Sequence, residues 1–86
     1  MEDLQLTNPK LMELLHDENI RQVSKWGVQN HEPFSWLAFT LEELGELSEA
    51  MSEWLYRDGK ADSVVKEAIE TATLSLKIAE MFIEEN

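Results

Sequence analysis

Cysteine is missing from this chain. Its absence excludes disulfides and thiolate zinc sites, and it fits a reducing compartment. Basic residues are scarce: 7 lysines and arginines stand against 18 aspartates and glutamates, for a net charge of -11. Such a surface repels nucleic-acid backbones and anionic membranes and attracts cations. We therefore expect no nucleic-acid and no membrane partner. No apolar run approaches the roughly 18 residues of a membrane span, and no signal-peptide pattern opens the sequence. A cytoplasmic location is the expectation. Linkers, internal repeats and low-complexity tracts are also missing. What is there amounts to one small helical domain, residues 1–86. A domain of this size buries a modest core and often leans on a partner subunit or a metal. Apolar residues make up 43% of the chain and recur periodically, which argues against disorder.

The periodicity predicts three helices and an all-α fold. Asn8-Pro9 is a helix start, an Asn cap followed by Pro at the first helical position. Helix 1 is expected over about residues 9 to 25, with Leu11, Met12, Leu15, Ile20 and Val23 as its apolar stripe. Lys25 to Pro33 reads as a loop punctuated by Gly27 and Pro33. Helix 2 is expected from about Ser35 to Arg57, with Leu37, Leu41, Leu44, Ser48, Met51 and Leu55 on one stripe. Asp58-Gly59 ends it, with Gly59 suited to the left-handed position after a helix. Helix 3 is expected from Asp62 or Ser63 to about Glu84. Val65, Ala68, Ile69, Ala72, Leu76, Ala79 and Ile83 form its main stripe, and Leu74, Ile78 and Met81 a second strip. A helix apolar on two sides is usually buried on both. The expected architecture is a short bundle of three main helices completed by oligomerisation.

Four glutamates stand out against this pattern. Glu43 and Glu46 form one i, i+3 pair, and Glu67 and Glu70 form another. Each pair lies one turn apart on one helix face. At about 100° per residue, Glu43 falls between the directions of Ala50 and of Trp36 and Trp54, inside the apolar arc. Glu46 falls at its edge. Glu67 falls between Leu74 and Ile78, and Glu70 near Met81. Unpaired carboxylates on an apolar face are costly to bury. A divalent cation removes that cost, and oxygen-only ligands favour magnesium, manganese or calcium. For one acidic pair alone, a solvated helix face is the ordinary explanation. Glu49 and Glu53 project to the polar side and are read that way.

The segment Glu42-Glu43-Leu44-Gly45-Glu46, then 20 residues, then Glu67-Ala68-Ile69-Glu70 resembles the EExxE…ExxD signature of the MazG-like nucleotide pyrophosphohydrolases. These belong to the all-α nucleoside triphosphate pyrophosphatase superfamily. The stretch Arg21-Gln22-Val23-Ser24-Lys25-Trp26-Gly27-Val28-Gln29-Asn30-His31 is similar to a segment that precedes the first acidic motif in small members. The match covers roughly residues 18 to 83. It implies an all-helical fold that assembles as a homodimer or homotetramer. It also implies magnesium-dependent cleavage of a nucleoside triphosphate between its α and β phosphates, giving the monophosphate and pyrophosphate. Manganese is a possible substitute. By residue-level carry-over, Glu43, Glu46, Glu67 and Glu70 are the implied magnesium ligands, and Glu42 helps orient a ligand or a water. The family's last position is usually Asp; here it is Glu70, one methylene longer.

Phosphoryl chemistry needs charge neutralisation and positioning more than covalent help. A carboxylate not fully used by metal, Glu42 or Glu46, is the candidate acceptor of the water's proton. Arg21, Lys25 and Lys77 are candidate phosphate partners. Trp26 is a candidate to stack on the base, and Gln29, Asn30 and His31 are candidates to hydrogen-bond to base or sugar. The ordinary alternatives are a core role for Trp26, a core or subunit-interface role for Trp36 and Trp54, a loop or capping role for His31 and a surface role for Lys77. A different function class is also open: a non-catalytic acidic helical module of the same fold that binds a partner helix or a basic protein.

Overall fold

A computed structural model describes residues 4–83 of the chain. Three α-helices account for the regular structure among these residues, and no strand occurs among them: α1 Lys10–Trp26, α2 Pro33–Tyr56 and α3 Ala61–Ile83. None is long and apolar enough to cross a membrane. The end of the third helix expected at Glu84 lies outside the described residues. α3 is the central element, packed against both α2 and α1. The α1 and α2 backbones do not pack on each other. A groove between them is floored by α3.

The helix ends follow local chemistry. Asn8 Oδ1 accepts from the Lys10 N–H at 2.9 Å, the capping bond expected of an Asn-Pro start. α2 begins two residues earlier than expected, with Pro33 as its first residue. Proline has a preset φ and no N–H to leave unpaired there, and Glu32 caps it. Glu32 Oε1 accepts from the Ser35 N–H at 2.7 Å and Oε2 from the Phe34 N–H at 3.2 Å. At the other end of α2 the left-handed residue is Asp58, with φ 57, and not Gly59. Aspartate tolerates that conformation better than most residues. Gly59 has a different reason to be glycine. Its N–H donates to the Glu53 carbonyl at 2.8 Å, and a Cβ there would lie 2.8 Å from the Glu53 carbonyl carbon and the Trp54 nitrogen.

The inward faces differ from the expected stripes. On α2 the face toward α3 runs Trp36, Thr40, Glu43, Leu47 and Ala50, with spacings of four and three. The expected stripe lies exposed: Leu41 is 58% and Met51 52% accessible, and Leu37, Leu44, Ser48 and Leu55 are exposed too. Both faces are apolar enough to be buried. The one carrying Trp36 and Ala50 combines a large flat side chain with a small one, which lets α3 approach. On α1 the inward face is Leu11, Leu14, Leu15, Glu18 and Gln22, while Met12, Ile20 and Val23 are exposed. The expected α1 stripe drifted because it skipped the polar residues at positions 18 and 22. On α3 the strip led by Leu74 is the more deeply covered, with Ile78 and Met81 half-buried. Val65, Leu76, Ala79 and Ile83 of the expected main stripe are exposed. α1 and α2 cover the Leu74 strip and, in part, Ala68, Ile69 and Ala72 of the main stripe, and the rest of that stripe lies open.

Candidate metal centre and adjoining clefts

The buried face of α2 carries Glu43 in its middle, one turn before the exposed Glu46. Directly across, α3 presents Glu67 and Glu70. One carboxylate oxygen from each of the four lies within 4.8 Å of every other. The helical spacing brings each pair together, and the packing of α2 on α3 brings the two pairs together. Glu70 is 7% exposed, Glu43 and Glu67 are half-buried, and Glu46 opens to solvent.

Four like charges this close, three of them partly buried, demand compensation. Part comes from cations. Arg21 Nη2 donates to Glu70 Oε1 at 3.3 Å, and Lys66 Nζ lies 3.9 Å from the same oxygen and 3.7 Å from Glu67 Oε1. Part comes from a proton. Burial, then the neighbouring carboxylates of Glu70 and Glu46, push the Glu43 carboxyl up to about 8. Even so, Glu43 Oε2 and Glu67 Oε2 are buried without a hydrogen-bond partner. Buried oxygens of this kind ordinarily find a donor or a cation.

The donor set fits a hard divalent cation. All four donors are carboxylate oxygens, the preferred ligands of magnesium, manganese and calcium. Opposite ligands in an octahedral magnesium site lie about 4.2 Å apart, and in a calcium site about 5 Å apart. A cluster spanning up to 4.8 Å matches that scale. Glu70 reaches the cluster despite the extra methylene relative to Asp.

A cleft of about 270 Å³ opens beside the cluster. Arg21, Gln22 and Trp26 line it from α1, Phe39, Glu42 and Glu43 from α2, and Glu70 from α3; Gln29 adds a wall from the loop. Glu42 is exposed, so its carboxylate belongs to the cleft and not to the buried cluster. Arg21 is held in place by Glu18, whose Oε1 accepts from Nε and Oε2 from Nη2, both at 2.8 Å. Burial alone raises the Glu18 pKa, but hydrogen bonds from Arg21 and Gln22 and the Arg21 charge outweigh it. The net direction is down, so Glu18 stays ionised.

The other expected ligand-binding residues divide. Arg21, Trp26 and Gln29 reach the glutamate cleft. Lys25 stacks over the Trp26 ring at 4.8 Å and Arg21 approaches the same ring at 5.7 Å. His31 is half-buried, edge-on to Trp36 and Phe39 at 5.1 and 5.2 Å, with Nε2 3.2 Å from Gln29 Oε1. Asn30 and Lys77 line a second cleft, which shares Gln22, Trp26 and Gln29 with the first. Trp36 belongs to the core, and Trp54 is half-exposed. Glu18 and Gln22 were not singled out from the sequence. Their signal is the i, i+4 pairing of two polar residues in line with Leu11 and Leu15.

No family model, no curated protein and no solved structure matches this chain.

Proposed function

We propose that the chain is a metal-dependent nucleoside triphosphate pyrophosphohydrolase of the MazG-like kind. One observation carries the reading: four carboxylates from two helices, two of them with unpartnered buried oxygens, converge beside a cleft walled by an arginine and a tryptophan. Glu43, Glu46, Glu67 and Glu70 would hold magnesium or manganese. Such an ion supplies charge neutralisation at the phosphates. The chain's own residues do the rest. Arg21, clamped by Glu18, presents a fixed guanidinium to a phosphate oxygen. Glu42, outside the cluster and open to the cleft, is placed to accept the proton of an attacking water. Trp26 offers a flat face at the cleft rim.

The resemblance also points to assembly. Among the described residues, the buried apolar side chains are Trp36, Ala50 and Leu74, a small core for an independent domain. A second copy covering the α2 strip Leu37, Leu41, Leu44, Met51 and Leu55 would enlarge it. The same strip is what favours the second reading, an acidic module that docks a partner helix and performs no chemistry.

The test is pyrophosphate release from a panel of nucleoside triphosphates with magnesium or manganese, for wild type and Glu43→Gln. Metal-dependent release lost in the variant is the expected result. A folded protein that releases none overturns the reading in favour of the docking module.

A further inference from the structure

Two clefts flank one side chain. Gln22 is 5% exposed, and it lines both the glutamate cleft and the second cleft of about 290 Å³. Trp26 and Gln29 are shared as well. Neither cleft alone reaches the ordinary size of a ligand pocket, roughly 300–1,000 Å³, but a ligand spanning both would occupy that range. Such a ligand has two chemically distinct ends. One end meets carboxylates and Arg21. The other meets Asn19, Trp36, Lys77, Met81 and the exposed Glu80.

The hydrogen bonds limit what the second end can be. Lys77 Nζ donates to Gln22 Oε1 at 2.6 Å, and Gln22 Nε2 donates to Glu18 Oε2 at 2.7 Å. An ammonium only donates and a carboxylate only accepts, so the Gln22 amide can point one way only. The Gln22 amide that lines both clefts is therefore fixed in orientation. Lys77 uses one of its three donors on Gln22, and its head sits 5.7 Å from the centroid of the Trp36 ring. Among the described residues no carboxylate lies within 4.0 Å of Lys77 Nζ. Burial pulls its pKa down, against the charges of Glu18 and Glu80. A half-buried cation beside an aromatic face, with donors left over, is complementary to a planar group carrying a carbonyl oxygen.

Lys77 stands seven residues beyond Glu70 on α3, about 10 Å along the helix axis. That is comparable to the distance from a nucleotide's α-phosphate to the far edge of its base. We propose that the second cleft is the base site and that Lys77, held by Gln22, donates to an exocyclic carbonyl of the base. The chain then prefers triphosphates of uracil, thymine, cytosine or guanine over those of adenine, which has no such carbonyl. The inference rests on the nucleotide reading of the glutamate cleft.

Equilibrium binding tests it without turnover, so that its failure and a failure of catalysis stay distinguishable. Tryptophan fluorescence would follow binding of non-hydrolysable α,β-methylene triphosphates of deoxyuridine and deoxyadenosine with magnesium. Wild type is expected to favour the uracil analogue by about 10-fold or more, the scale of one charge-assisted hydrogen bond. Lys77→Met should erase the preference and Lys77→Arg should retain most of it, with helical content checked by circular dichroism. Equal affinity of wild type for the two analogues would overturn the inference, as would no binding of either. So would a uniform loss for both in Lys77→Met, which would make Lys77 a phosphate partner.

Discussion

Arg21 on α1 and Glu70 on α3, 49 residues apart in sequence, meet at 3.3 Å inside the glutamate cluster. The contact ties α1 to a site otherwise built by α2 and α3. It also gives the most buried of the four carboxylates its nearest cation. The same guanidinium is gripped by Glu18, so that Arg21→Ala takes the nearest cation from two nearly buried carboxylates at once, leaving Gln22 on Glu18 and Lys66 3.9 Å from Glu70. We expect a loss of about 1–3 kcal/mol in the metal-free protein, read by urea unfolding. Saturating magnesium should recover the part due to Glu70 but not the part due to Glu18. Full recovery would mean that Glu18 is not a structural anchor.

Metal should stabilise the fold through the four glutamates. At magnesium one hundred times Kd the gain is about 2.7 kcal/mol. For a domain this small that raises Tm by on the order of 10 °C. Calorimetry with and without chelator measures it. Glu67→Gln should reduce the shift sharply, and an undiminished shift in that variant would place the ion elsewhere.

The metal-free protein should lose stability as pH rises. The folded Glu43 carboxyl is raised from 4.5 to about 8 by burial and by Glu70 and Glu46. Between those values the native state holds a proton that the unfolded chain has released. Stability therefore falls with rising pH across that window, and the contribution is fully present below about 4.5 and gone above about 8. Metal affinity should move the opposite way, because the ligand must be deprotonated. Glu43→Gln should flatten the stability profile in chelator. A profile as steep as wild type would assign the proton to another group.

The exposed strip on α2 predicts self-association. Light scattering at micromolar concentration should report a dimer or larger species, and Leu41→Glu should shift it toward monomer. A monomeric wild type would leave the strip to a different partner.

Gly59→Ala tests the close approach after α2. A Cβ 2.8 Å from two backbone atoms of Glu53 and Trp54 forces the turn to shift. The expected cost is about 1–3 kcal/mol, seen as a lowered urea midpoint with an unchanged slope. Asp58→Gly should be tolerated, because glycine adopts a φ of 57 freely.

The sequence by itself determined what is local. Helix spacing put Glu43 with Glu46 and Glu67 with Glu70, and an apolar surround marked Glu43 as an anomaly before any packing was known. Asn8-Pro9 announced the start of α1. Glu32-Pro33 carries the same kind of start signal for α2, a capping side chain followed by Pro at the first helical position. Tertiary structure decided everything that depends on which surfaces meet. α2 has two apolar faces, and periodicity cannot choose between them; the one bearing Trp36 and Ala50 packs on α3, leaving the leucine strip outside. Gln22 and Lys77, 55 residues apart, become a pair only because α1 crosses α3 at that level. Polar residues such as Glu18 and Gln22 read as surface until their partners arrive, since a side chain's cost of burial is set by what it bonds to once it is there.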